Sequence, residues 1–330
     1  KTNIITIIMK VIVIQNRMGI GDLIIFLPYI FSISKEYNIP VSLLVRKNTR
    51  AKELLKNNPH VSEIITLDRD DKNRTGRHQG VAGILNLIQD LRKRNFTKSF
   101  TFNSSARYAL ITKLAGIKER YQYPLFEKKK QNIIETAKKF IYVHLNKTIE
   151  SNPILNIDEN KVLETKKKYK FDKEYCHILL GLGGSGPTKR VPVEKFIKFM
   201  DLISANKKCK FYLAAGKNPI EQEIINKVIN SNHNANCLSL GFMDISETLP
   251  IIKNCNLAVS NDTSFSHISA ALGVNTIVLM TDTPLLYGNY STKMTPVLPE
   301  GKTNVTHDSL GKEKINPEEI YIKAKKILNL

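Results

Sequence analysis

Residues able to do chemistry concentrate in three turns rich in glycine and hydroxyls. Residues 11–22 read VIVIQNRMGIGD. A β-branched run enters a turn carrying Gly19 and Gly21, and Asp22 opens the helix that follows. Glycines let a backbone approach a ligand closely. Asp22 offers either a carboxylate that could take a proton or a simple helix cap. Residues 181–196 read GLGGSGPTKRVPVEKF: an apolar strand, a glycine-rich loop and a helix entered through Pro192. The backbone N–H groups of residues 183–186 and the helix start would form an anion site. Lys189 and Arg190 add charge beside it, and Ser185 and Thr188 add hydroxyl donors. The competing reading is a flexible loop with incidental basic content. The order GxxxxGK[ST] is absent, so this is not a P-loop. Residues 257–274 read LAVSNDTSFSHISAALGV. The strand ends at Ser260, Asn261 to Ser264 follow, and a helix of small residues begins. Asp262 and Thr263 either cap that helix or meet a ligand there, and His267 on its first turn is either a ligand contact or structural.

Several chemistries are disfavoured. The GxGD turn lacks the third glycine of the dinucleotide fingerprint, and no acidic residue closes the second strand, which argues against a nicotinamide enzyme. Asp68 and Asp70 form a DxD pair, but with Arg69 and Asp71 beside them they read as a solvated loop, so no metal is expected. The four cysteines, Cys176, Cys209, Cys237 and Cys255, make no CxxC pair and lie in or beside apolar runs, as reduced core thiols do. The net charge of +20 favours phosphates, anionic lipid or nucleic acid as partners. Lysine drift on solvated faces is the competing cause. Nucleic acid is the weakest of these partners, since no zinc-finger spacing, aromatic–basic motif or basic heptad region occurs.

These turns need elements to hold them. In the first half the pattern predicts strands over 11–14, 41–45, 61–67, 99–102 and 121–123, with helices over 22–36, 49–57, 81–94, 106–114 and 131–145. A polar stretch, about 158–172, reads as a linker, with a helix over part of it left open. Strands then restart over 176–181, 211–214, 237–240, 257–260 and 276–280. Helices cover 193–204, 221–229, 245–254 and 265–272, and 317–328 closes the chain. Two alternating series imply two parallel, doubly wound α/β sheets, with ligands beyond the carboxyl ends of their strands. The expected domains are 1–165 and 166–330, with the terminal helix at about 315–330 packing back on the first. Residues 1–8 read as an upstream extension. No apolar stretch reaches the ~20 residues needed to span a bilayer.

Together the three turns resemble glycosyltransferase family 9, the lipopolysaccharide heptosyltransferases and relatives, over nearly the whole chain. VIVIQNRMGIGDLIIFLPYIFSI is similar to that family's opening strand, (L/M)GD turn and proline-containing helix. VSLLVRKNTRAKELLKNNPHVSEII is similar to its second strand, helix and approach to the third strand. FTFNSSARYALITKLAGIKERYQY resembles a degenerate form of its next strand–helix segment. GGSGPTKRVPVEKF resembles its donor loop, with Val191 in the usual tryptophan place. The block from Leu240 to Met280, with NDT, a histidine and a small-residue helix ending in LGV, is the most specific part. Ser264 departs from the glycine usual after NDT.

The resemblance implies a GT-B fold, two Rossmann-like doubly wound domains facing across a cleft. The first would bind acceptor and the second a nucleotide-diphosphate sugar. It implies inverting transfer without metal or cofactor, with heptose from ADP-heptose as the leading donor, in synthesis of lipopolysaccharide or a related glycan. Asp22 would be the general base and Lys189 the cation at the leaving diphosphate. The amides of Gly184 and Ser185, with Thr188, Thr263 and Ser264, would join Lys189. Glu221, or Glu223, would accept from the ribose, Met243 would lie near the base, Asp262 would contact the transferred sugar's hydroxyls, and His267 would belong to the donor site. Gly19, Gly21, Arg17, Lys47 and Arg107 are the acceptor-side candidates, with Arg50, Arg74 and Arg77 further basic residues there. The implied partners are the nucleotide sugar and a glycolipid or oligosaccharide acceptor, in the cytoplasm or at the inner face of its membrane. A nucleotide-sugar-binding protein of the same fold without catalysis is the alternative.

Overall fold

The computed structural model describes residues 8–125 and 132–330. Residues 1–7 of the expected extension and the start of the helix placed over 131–145 lie outside them. The chain divides into two compact units at Ser151 and Asn152.

The first unit runs β1 (Val11–Gln15), α1 (Ile20–Tyr37), β2 (Val41–Arg46), α2 (Ala51–Leu54), β3 (Val61–Leu67), α3 (Gly80–Arg92), β4 (Lys98–Thr101), α4 (Ala106–Leu114), β5 (Glu119–Gln122) and α5 (Ile133–Leu145). Its sheet has the order β3-β2-β1-β4-β5, with every pair parallel. VIVIQ of β1 is buried along its whole length, as expected of a central parallel strand covered on both faces. On one face Ile12 and Ile14 pack with Leu87 and Leu91 of α3 and Ile111 of α4. On the other, Phe102 meets Phe26 of α1 edge-on at 5.2 Å and Phe140 of α5 at 5.1 Å. α1 continues through Pro28 and ends at Asn38, whose left-handed backbone (φ 52°) donates back into the last turn.

The second unit runs α6 (Glu159–Lys168), β6 (Cys176–Gly181), α7 (Val193–Ser204), β7 (Cys209–Ala214), α8 (Pro219–Ile229), β8 (Cys237–Ser239), α9 (Ile245–Lys253), β9 (Leu257–Asn261), α10 (Ser264–Ala271), β10 (Thr276–Leu279), α11 (Leu286–Asn289), β11 (Met294–Val297) and α12 (Pro317–Leu328). The sheet order is β11-β10-β9-β6-β7-β8, again parallel throughout. Phe196 and Phe199 of α7 are fully buried beneath it.

In each sheet the strand order reverses once, between β1 and β4 and between β6 and β9. Ligands in doubly wound folds bind outside the carboxyl ends at such reversals. The glycine turn after β1, the glycine loop after β6 and the Asn-Asp-Thr run after β9 all lie at those points.

Four features differ from the sequence expectation. The polar stretch read as a linker carries the helix left open there, α6, but that helix packs on α9 and does not join two domains. Just before it, the Leu155 N–H donates to the Ala271 carbonyl. These contacts place residues 152–165 in the second unit, so the boundary falls earlier than 165. β11 was not expected, because Pro296 interrupts its apolar pattern. As an edge strand it tolerates a residue that cannot donate. The helix after β2 is one turn, Ala51–Leu54, rather than 49–57. The terminal helix is α12, whose buried Ile320 and Ala324 join Phe196 and Phe199 in the second unit's core instead of serving the first domain.

Gly83 of α3 fixes the loop that follows β3. A Cβ there would lie 2.1 Å from the His78 carbonyl carbon. Gly83→Ala is expected to destabilise the first unit by about 1–3 kcal/mol, the usual cost of overpacking. Urea unfolding checks this, and an unchanged midpoint would mean that α3 and the loop are not in contact.

Candidate active site

The loop after β6 has little apolar side chain to order it, so polar bonds from neighbouring strand ends do the work. Asn261, the fully buried last residue of β9, donates from Nδ2 to the carbonyls of Leu182 (2.9 Å) and Gly183 (3.0 Å). Its Oδ1 accepts from the Val191 N–H at 3.3 Å. One side chain thus grips both ends of the loop. Beyond β10, the Thr281 hydroxyl donates to the Thr188 carbonyl at 2.9 Å.

Asp262 follows directly and is 6% exposed. Lys189 Nζ donates to Oδ2 at 3.0 Å and the Thr283 hydroxyl to the same oxygen at 2.6 Å. His267 Nε2 stands 3.6 Å from Oδ1. The other ring nitrogen, Nδ1, is 3.0 Å from the Tyr290 hydroxyl, and the two rings stack. Burial alone would raise the Asp262 carboxyl. The neighbouring His267, then Lys189 and the Thr283 hydroxyl, outweigh it and hold the group well below the usual carboxylate range. Thr263 caps α10, its Oγ1 accepting from the Phe265 N–H at 3.2 Å. Ser264 begins the helix without positive φ, so no glycine is needed there for backbone reasons.

Across the switch point lie the ends of β7 and β8. Glu221 is buried in the first turn of α8, accepting from the Gly216 N–H (2.5 Å) and from Asn218 Nδ2 (3.0 Å). A Cβ on Gly183 would lie 2.1 Å from Glu221 Oε2, so only glycine lets the loop approach that carboxylate. Glu223, the other candidate, is exposed and pairs with Lys227 at 3.6 Å. Gln222 donates to the Gly216 carbonyl and abuts Gly241. The turn after Leu240 is closed by the Met243 N–H at 3.1 Å. Gly184, Ser185, Thr188, Lys189, Glu221, Met243, Asp262, Thr263, Ser264 and His267 therefore all lie along one carboxyl edge.

In the first unit Gly19 (φ 98°), not Asp22, is the N-cap of α1. Gly21 and Asp22 belong to the first turn, and Arg17 Nε donates to Asp22 Oδ1 at 2.9 Å. Asn103 Nδ2 donates to Asn16 Oδ1 at 2.9 Å, joining the ends of β1 and β4. Buried Arg46 bonds to the carbonyls of Asn16 and Arg69 and to Asp71. Arg107 donates to the His78 carbonyl at 2.7 Å, and burial, then the charge of Arg69, push its guanidinium down from its ordinary value. Lys47 is exposed just after β2. Arg50 pairs with Glu53 and Arg77 with Asp90, while Arg74 is exposed in the loop after β3. Asp68 accepts from the Arg77 N–H, and Asp70 from the N–H groups of Lys72 and Asn73.

The family model for glycosyltransferase family 9 (heptosyltransferase) matches residues 84–314. The chain belongs to glycosyltransferase family 9. A lipopolysaccharide heptosyltransferase 1 from Campylobacter coli is 21% identical to this family 9 glycosyltransferase, over 91% of this chain and 92% of the relative. The fold matches an Escherichia coli ADP-heptose lipopolysaccharide heptosyltransferase II at TM-score 0.73 and 18% identity, covering 97% of this chain and 99% of that one. A family 9 glycosyltransferase from Veillonella parvula matches at TM-score 0.75 and 17% identity, covering 97% and 98%.

Sequence reading missed the groups that orient this family 9 site. Thr283 and Tyr290 carry no local signal and reach Asp262 and His267 only through the sheet. Asn218 had one: Asn-Pro-Ile-Glu is a capping pattern, and Asn218 Oδ1 accepts from the Glu221 N–H.

Asn261→Ala leaves two buried carbonyls without their donor and should cost about 1–3 kcal/mol, read by denaturant unfolding of the second unit. An unchanged stability would show that the loop is held otherwise. The Asp262 cluster has a pH signature. Its carboxyl is depressed in the folded state, so its stabilisation is fully present above the unfolded value of about 3.9 and fades only as pH falls through the lower folded value. Asp262→Asn should therefore lower stability at neutral pH and flatten the acid limb of the stability–pH curve. Parallel curves for the two proteins would contradict this.

Proposed function

We propose that this family 9 enzyme transfers heptose from ADP-heptose to a hydroxyl of a lipopolysaccharide core acceptor, inverting the anomeric centre without a metal. The observation that carries the reading is the row of anion-binding groups at the β6/β9 switch point, with a lysine ammonium anchored there by a buried carboxylate. The names of the similar proteins support the sugar and the acceptor.

In one displacement the acceptor oxygen bonds to the anomeric carbon and the bond from that carbon to the diphosphate oxygen breaks. Asp22 takes the hydroxyl proton, and ADP leaves with the added negative charge. Arg17, bonded to one oxygen of Asp22, orients the carboxylate. Lys189, the amides of Gly184 and Ser185, and the hydroxyls of Thr188, Thr263 and Ser264 stabilise the diphosphate, where preorganised donors act on charge that develops in the transition state. Glu221 and the Met243 turn serve the nucleoside end. Asp262 and His267 hold Lys189 in place and flank the sugar. Gly19 and Gly21 let the acceptor approach, and Arg17, Lys47 and Arg107 supply cations on the acceptor side. The enzyme acts at the cytoplasmic face of the membrane, with no role for nucleic acid or a cofactor.

The test is ADP release from ADP-heptose with a lipopolysaccharide-core acceptor. Asp22→Asn should lower kcat by about 10²–10⁴-fold, the usual share of positioned proton transfer, with donor affinity unchanged. Lys189→Ala should weaken donor binding as well as turnover. Full activity of Asp22→Asn with several donors would remove the base assignment. A different nucleotide sugar consumed in preference would remove the donor assignment.

A further inference from the structure

We propose that the outer surface of α3 and α4 docks on an anionic lipid bilayer. Two apolar pairs at helical i,i+4 spacing are exposed there: Val81 and Leu85 on α3, at 78% and 63%, and Leu110 and Leu114 on α4, at 46% and 44%. The inner residues of the same helices, Leu87, Leu91 and Ile111, are buried in the sheet core. The outer pairs are therefore surplus to folding. The two helices pack side by side, and Arg92 Nη2 donates to the Leu114 carbonyl at 2.6 Å, so the pairs share one region of surface. Four exposed apolar side chains on two packed helices make this face a candidate interaction site.

Charge selects the partner. Between residues 80 and 118 seven Lys or Arg stand against a single carboxylate, Asp90. Asp90 is already bonded to Arg77 and His78, which leaves little negative charge on these helices. Arg92, Lys93, Lys113 and Lys118 are exposed on these helices or just after them, and Arg92 reaches Leu114. Exposed apolar side chains on helices that also carry exposed cations fit a surface that is oily inside and anionic outside. Among the described residues no helix is long and apolar enough to cross a membrane, so the contact is peripheral.

The surface also lies at the useful end of the unit. Arg107, in the first turn of α4, donates to the His78 carbonyl just before α3. Both helices thus start at the carboxyl edge that also carries Asp22, and Val81, Leu85 and Leu110 sit in their opening turns. If the acceptor is a glycolipid, as the proposed function holds, its lipid enters the bilayer beside the edge that receives its hydroxyl. The docking surface itself does not depend on that reading.

The chain has no tryptophan, so Leu85→Trp introduces a sole reporter. Its emission should shift to the blue on phosphatidylglycerol vesicles, not on phosphatidylcholine vesicles, and raised salt should reverse the shift. Val143→Trp, on exposed α5 across the sheet, should not respond. Val81→Ser combined with Leu114→Ser should lower the fraction of otherwise unaltered protein that sediments with the anionic vesicles by about tenfold. ADP release with a water-soluble acceptor fragment should stay unchanged in that variant. A silent Leu85→Trp, or an equal response to neutral vesicles, would overturn the proposal. So would a blue shift that grows with protein concentration in the absence of lipid, which would make the surface a contact between copies of the chain. The vesicle results stand whether or not ADP-heptose proves to be the donor.

Discussion

A carboxylate almost wholly removed from water is stable only if other groups replace its hydration, and Asp262 forces that requirement on the second unit. Its compensation comes from three directions: Lys189 from the loop after β6, Thr283 from beyond β10, and His267 from the first turn of α10. Removing one partner of a buried pair typically costs about 3–5 kcal/mol, because the other charge is left stranded. The three segments are thus held to one another through a single side chain. Asn261, the residue before it, fixes the loop backbone, while Asp262 fixes the loop's cation. Neither task can be done by apolar packing, since residues 183–186 consist of three glycines and a serine. The price of a loop whose amides are free to meet a ligand is that its order must be imposed by polar groups on the neighbouring strand.

How much of this could be read beforehand followed from how local each signal is. The parallel strands were visible as short β-branched runs, and the three turns were visible because a strand end, glycines or hydroxyls, and a helix start coincide in sequence. Asp262 and Lys189 were each recognisable, but their bond was not: 73 residues separate them, and only the adjacency of β6 and β9 joins them. Arg46 was hidden for the same reason, its partners Asn16 and Arg69 lying on other strand ends. Thr283 and Tyr290 sit in a stretch without periodicity. β11 was masked by Pro296, and α6 was legible only as an open alternative, because its single buried residue, Val162, leaves almost no apolar face to detect. At the first turn the error was finer. Asp22 has the residue type of a cap, but the positive φ of Gly19 starts the helix earlier, which moves Asp22 inside the first turn, where Arg17 reaches it.

The same electrostatics governs both units, each of which holds a paired carboxylate, Asp22 in one and Asp262 in the other. Lys189 lies within bonding distance of a carboxylate, Asp262, which it shares with Thr283 and His267. A base placed on the same strand ends would be drawn to the same ammonium and lose the lone pair that proton transfer needs. Asp22 belongs to the other sheet and answers to its own partner, Arg17, through one oxygen. The partner is an arginine, whose fork is directional, so it can orient the carboxylate from one side. Asp22 and Lys189 each keep a paired charge because the chain builds them on separate sheets, each at the point where that sheet's strand order reverses.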